Sequence, residues 1–128
     1  MSKARNILGI ISGVILILSS GAHSFLGWKA MHDQLVALDA PADLVTGLAI
    51  GWNFAGFAIF IFGVLVLLTF IPRLRGLYAP LTTPRVIGWG YGGAGVAGYA
   101  VSKMMFFVSV FIVPGILILL ASSERDEA

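Results

Sequence analysis

The chain has 128 residues, a formal charge of +2, 59% hydrophobic and 11% charged residues, and no cysteine. Soluble domains carry roughly 25% charged residues, so polar groups are too few here to cover a globule and lipid has to cover it instead. The small net charge gives no ground for a nucleic-acid partner, and the lack of cysteine removes disulfides, thiolate metal sites and a cysteine nucleophile.

The first apolar segment runs from about Ile7 to Trp28, preceded by Lys3 and Arg5. A basic start followed by an apolar run also fits a secretory signal. Three more apolar segments follow, so a retained anchor is expected. Residues 29–40 carry Lys29, His32, Asp33, Gln34 and Asp39 and form the expected outer loop. Met31, Leu35 and Leu38 recur within it at helical spacing, as in a short interfacial helix, and Trp28 belongs at the headgroup level.

A second span is expected over residues 41–71. Pro41 suits a first helical turn, Asp43 complements the positive end of the helix dipole, and Pro72 marks the stop. The inner loop, 72–84, holds Arg73 and Arg75 and is followed at once by Arg85; Thr83 and Pro84 read as N-cap and first helical residue. From Val86 to Ala121 a single helix would be about 54 Å long, too long for one crossing. Lys103 marks the break, because an ammonium at mid-bilayer costs at least ~2.5 kcal/mol. Segments three and four are therefore placed at 85–101 and 104–122, with Pro114 kinking the latter by removing the bond to the Val110 carbonyl. The tail from Glu124 to Glu127 reads as soluble.

The expected fold is all-α: residues 1–128 form one transmembrane domain, a four-helix bundle with antiparallel neighbours. With the N-terminus inside, Lys3, Arg5, Arg73, Arg75, Arg85 and Arg125 lie on the inner side and only Lys29 and Lys103 on the outer. That bias predicts a multi-pass protein of the cell inner membrane with both termini cytoplasmic.

Polar residues within spans are the candidates for function. His23 shares a stripe with Ser12, Ser19, Ser20 and Gly27, bordered by Gly9 and Gly13, so it should face the bundle. Its structural role is a hydrogen bond across helices; its functional role is a ligand contact, a proton relay or a haem axial ligand. Asn53, at comparable depth in segment two, is interhelical glue or a substrate contact. Gly56, Phe60 and Gly63 continue its face, and Gly47, Gly51 and Ala55 make a second small stripe for packing on another side. Segment three is glycine-rich, and Gly88, Gly92 and Gly95 are expected to pack tightly inside the bundle; the functional alternative is association with another protein's helix or with a flat cofactor. Depth alone suggests convergence of His23, His32, Asp33, Trp52, Asn53, Tyr99 and Lys103 at the outer end. No carboxylate pair, His-x-x-x-His motif or complete serine–histidine triad occurs, so no catalytic residue and no metal site is assigned.

Pro41 opens the second span, and Asn53, Gly56 and Gly63 follow at spacings of three and ten, while Gly21-Ala22-His23 closes the first. In these features residues 5–70 resemble the DoxX-like group of small bacterial four-helix membrane proteins. Asn53 stands where that family carries an acidic residue, and the family's pattern at the end of the fourth span is not apparent. Some relatives are subunits of quinol-linked oxidases or redox assemblies, so the resemblance implies a place beside a quinone or haem enzyme. The residues themselves point first to an accessory, structural subunit of a larger membrane complex. The alternative is a binding module for a quinone, haem or lipid-like ligand at an outer-side pocket around His23 and Asn53. A further alternative is a homo-oligomeric transporter of a small solute. The expected partners are the lipid bilayer and other membrane subunits or further copies of the chain, and the residues name no specific cofactor.

Overall fold

The computed structural model describes residues 2–123, and every regular element among them is helical. Helix α1 runs Lys3–Ala37, α2 Ala42–Leu74, α3 Thr82–Ser102 and α4 Met105–Ala121. Two of them, α1 and α2, are long and apolar enough to cross a membrane. The acidic tail and Arg125 lie outside the described residues.

Helix α1 continues to Ala37 through the stretch expected as a loop with a short interfacial helix of its own. No proline or glycine interrupts 28–40, Lys, Ala, Met, Gln and Leu all favour helix, and Lys29 pairs with Asp33 one turn on, Nζ to Oδ2 at 2.6 Å. The loop expected on the outer side therefore shrinks to 38–41, where Asp39 takes a left-handed φ of 53° before Pro41. Pro41 itself is the N-cap of α2, extended at ψ 141°. Helix α2 also passes through Pro72 to Leu74, because a proline this near the end forfeits a single backbone bond. The Pro72 carbonyl accepts from Arg75 and Leu77 at 2.9 and 3.0 Å, and Gly76, at φ +81°, completes the turn.

Helix α3 begins at Thr82 with Leu81 as N-cap, slightly before the expected Thr83–Pro84 start, and Pro84 is accommodated in the first turn. The break at Lys103 is where an interfacial cation was expected. Lys103 is left-handed (φ 58°), its N–H donates to the Tyr99 carbonyl at 2.8 Å, and Ser102 Oγ accepts from Met104 N. The irregularity before Pro114 takes the form of a π-turn over Val108–Ile112. Widening the turn gives the pyrrolidine ring room against the preceding carbonyls.

Glycines set the two closest helix crossings. Helices α1 and α2 run antiparallel from Gly9, which lies under the Phe70 ring, to Gly27, which lies beside Trp52. Midway, a Cβ on Gly63 would stand 2.9 Å from the Gly13 carbonyl, and one on Gly13 would stand 3.1 Å from the Gly63 carbonyl. Helices α3 and α4 cross in the same way: a Cβ on Gly115 would stand 2.8 Å from Gly92 N and 2.9 Å from the Gly88 carbonyl, and one on Gly95 would meet Ile112. Such approach is open only to residues without side chains. The second α2 stripe does not pack: Cβ atoms on Gly47 and Gly51 would meet nothing within 4 Å.

Leu16, Val66, Phe70, Leu81 and Ile118 are fully buried near the end of the bundle that holds the 75–81 loop. Two arginines close that end. Buried Arg73 donates to the Ala79 carbonyl at 2.6 Å, and Arg85 Nε donates to the Ser122 carbonyl at 3.0 Å. The opposite half of the bundle is less tightly filled, and the candidate site lies there.

Candidate functional site

The site is built on a distortion of α1. Residues Ala22–Gly27 form a π-turn, a one-residue excess that re-aims the side chains it carries and recurs at functional sites. Small residues in α2 let this wider turn dock. Gly56 takes Ser24 and the His23 Cδ2 edge, and Gly27 leaves room for the Trp52 indole.

His23 and Trp52 then clasp the two helices reciprocally. Their rings stack in parallel, 4.4 Å between centroids at 5°. Trp52 Nε1 donates to the His23 carbonyl at 2.7 Å, and His23 Nε2 donates to the Trp52 carbonyl at 3.2 Å. Each residue thus satisfies a backbone acceptor on the other helix. Helix–helix hydrogen bonds in lipid are worth roughly 0.6–2 kcal/mol each, and the stack adds ~0.5–1.5 kcal/mol.

Beside the clasp lies a cavity of about 480 Å³. Helix α1 supplies Ser19, Ala22, His23 and Gly27; α2 supplies Trp52 and Ile59; α3 supplies Tyr91 alone. Phe106, Phe107, Val110 and Phe111 of α4 make the facing wall. The two π-turns, on α1 and α4, thus border the same space, and the phenyl rings are mutually packed, with Phe107 and Phe111 stacked at 5.7 Å. Tyr91 is 7% exposed, tilted against Phe111 at 5.6 Å and edge-on to Phe62 at 6.3 Å. Its hydroxyl is buried and has no hydrogen-bond partner among the described residues. The volume is within the ~300–1,000 Å³ typical of small-molecule sites, and the walls are apolar with a few polar groups, as such sites are.

The polar residues expected to converge by depth do so only in part. His23 and Trp52 meet in the wall. Asn53, expected to share the pocket with His23, is exposed, turns away, and donates to its own helix at the Ala49 carbonyl, 2.9 Å. Being next to Trp52 in sequence puts it about 100° around the helix from the cavity face. His32 and Asp33 lie on the exposed extension of α1, His32 tilted against Trp28 at 5.8 Å. There the hydrogen bond from Lys29 holds the Asp33 carboxyl below its ordinary value. Lys103 Nζ lies 5.9 Å from the Tyr99 ring and belongs to the α3–α4 turn.

Sequence reasoning missed the α4 phenyl wall and the role of Gly115. Both had a signal, the i, i+4 spacing of Phe107 and Phe111 and a glycine directly after Pro114, but apolar residues in an apolar helix carry no mark of which face is turned inward. The wall offers binding, orientation and hydrogen bonding, and among the described residues no carboxylate lines it. No family model matches the chain, and no curated protein or solved structure matches it either.

Proposed function

We propose that the chain is a multi-pass membrane protein whose four helices hold an apolar, lipid-like ligand in the cavity beside the His23–Trp52 clasp. The observation that carries this reading is the 480 Å³ space itself, walled by aromatic and aliphatic side chains from all four helices. Within the range of quinone, haem and lipid-like ligands, the apolar walls favour a neutral molecule with a large apolar body over haem. Iron ligation through His23 Nε2 would require the ring to leave the Trp52 carbonyl.

Gentle purification from the native membrane tests it. The expected result is an organic molecule retained in stoichiometric amount, identified by mass spectrometry and an absorbance spectrum. Val110→Trp, which fills the cavity, is expected to lose it while staying monodisperse. Identical extracts from the two proteins would sink the reading.

Topology is a separate expectation. Leu38, 78% exposed, and Leu77, 60% exposed, lie at opposite ends of α2. In a chain without native cysteine, Leu38→Cys is expected to react with an impermeant maleimide in intact bacterial cells, and Leu77→Cys only after the membrane is opened. The reverse pattern would invert the orientation drawn from the basic residues, and labelling of both in intact cells would remove the multi-pass arrangement.

The accessory-subunit reading has its own support. Cβ atoms on Gly90 and Gly93 of α3 would meet nothing within 4 Å, and neighbouring Trp89 is 71% exposed. This smooth open face suits a helix of another chain, and the resemblance to DoxX-like proteins points the same way. A stoichiometric partner protein in the same purification would favour it; a clean homomer would count against it.

A further inference from the structure

The cavity wall is apolar but for a few groups, and two of them lie one turn apart on α1. Trp52's carbonyl can only accept, so the proton of neutral His23 is on Nε2. Nδ1 is then a bare acceptor. The Cδ2 edge of the ring faces Gly56, 3.4 Å from where a Cβ would stand, which turns the Nδ1 side of the ring away from that contact. Nδ1 has no hydrogen-bond partner among the described residues.

Ser19 stands four residues before His23, on the same face, and also lines the cavity. Its hydroxyl behaves unlike those of most serines in the chain. Ser12, Ser20, Ser102 and Ser109 each donate to a carbonyl of their own helix, and Ser122 and Ser123, just past α4, donate to its last turns, the usual way a hydroxyl is satisfied at an apolar helix. Ser19 makes no such bond, nor any other among the described residues. Ser24 makes none either, but its oxygen is wedged against Gly56 in the helix crossing. Ser19 Oγ therefore offers a donor on the cavity-lining side of the helix that also carries His23.

We propose that Ser19 and His23 form a recognition site for the hydroxyl of a neutral ligand, an alcohol or phenol whose apolar body lies against Phe107 and Phe111. The ligand hydroxyl donates to His23 Nδ1 and accepts from Ser19 Oγ–H. Among the described residues no charged side chain lines the cavity, so an ionised head group would be desolvated without a counter-charge. Holding the acceptor in place is the clasp's second consequence. Stacking on Trp52 and the Nε2 bond fix both the ring's orientation and its tautomer, as an outer partner does for any histidine whose second nitrogen is used. This assignment rests on the ligand-binding reading above and narrows it to one functional group.

The test is nitrogen NMR of the full chain in lipid nanodiscs, with labelled histidine in a His32→Gln background so that His23 alone reports. Titration uses three probes of like shape, 2-naphthol, 2-methoxynaphthalene and naphthalene. The free protein is expected to show the Nε2–H tautomer, and 2-naphthol is expected to move the Nδ1 resonance and to bind about tenfold more tightly than its methyl ether. Ser19→Ala, which removes no bond made within the described chain, is expected to cut that preference severalfold. If naphthol and ether bind alike with Nδ1 unmoved, the hydroxyl site is wrong while the cavity reading survives. If none of the three binds, both fall. An Nδ1–H tautomer in the free protein would overturn the proposal before any ligand is added.

Discussion

Gly63→Leu is expected to cost about 3 kcal/mol or more and to separate α1 from α2. A side chain at 63 has no rotamer to retreat to. Its Cβ would stand 2.9 Å from the Gly13 carbonyl and 3.0 Å from Ile17 N, both backbone atoms, and 2.7 Å from Ile17 Cγ1. Overpacking against movable side chains costs ~1–3 kcal/mol, and here the helices themselves must part. Gly115→Leu should act alike at the α3–α4 crossing, where the opposing atoms are Gly92 N and the Gly88 carbonyl. The internal contrast is Gly90→Ala and Gly93→Ala, where a Cβ meets nothing; these should be neutral in the isolated chain or stabilising by up to ~1 kcal/mol through helix propensity. Unfolding in mixed micelles of increasing denaturing detergent measures all four. A Gly63→Leu protein as stable as Gly90→Ala would mean that α1 and α2 do not cross at Gly13 and Gly63.

Trp52→Ala is expected to cost about 3 kcal/mol, in the range for aromatic truncations at packed positions, and to abolish ligand retention. It removes the ring stacked on His23, the Nε1–H that satisfies the His23 carbonyl, and a wall of the cavity at once. Graded variants separate these parts. Trp52→Phe keeps an aromatic face but removes the indole donor, leaving the His23 carbonyl to the Trp28 N–H alone, at about 1 kcal/mol. His23→Leu keeps the Trp52 Nε1 bond, which goes to backbone, and loses the stack and the Nε2 bond, again about 1 kcal/mol. The expected order is therefore Trp52→Ala well below two similar, milder variants. Retention should fall in His23→Leu even where stability holds, since the Nδ1 acceptor goes with the ring. Equal small losses across the three would show that the rings meet without clasping the helices.

Several features of the fold were legible because they depend on one residue at a time. Long apolar runs mark α1 and α2 wherever their neighbours lie. A lysine in an apolar stretch marks a chain reversal, and Lys103 is the left-handed residue of the α3–α4 turn. Glycine spacing marked Gly9, Gly13, Gly56, Gly63, Gly88 and Gly95 as positions of close approach, and each lies against a neighbouring helix; Gly92 contributes through its backbone at Gly115. The helical continuation past Trp28 is also legible in the lack of any breaker before Pro41: a polar stretch without proline or glycine stays helical.

What the amino-acid order determined by itself is thus the set of helices, their breaks and the positions at which a side chain would hold two helices apart. Only the tertiary structure decided what faces what. Two helices meet at one relative rotation, and a change of one residue in that rotation exchanges Trp52 for Asn53 opposite His23. The π-turns at 22–27 and 108–112 add a residue to each helix and shift that phase locally, which no regular periodicity anticipates. Asn53 is the more conspicuous polar residue in sequence, yet it bonds within its own helix; Trp52, expected near His23 by depth alone, is the partner. The cavity is likewise a property of four rotations at once, and side chains such as Phe107 and Phe111 take on a role only when α4 turns them toward α1.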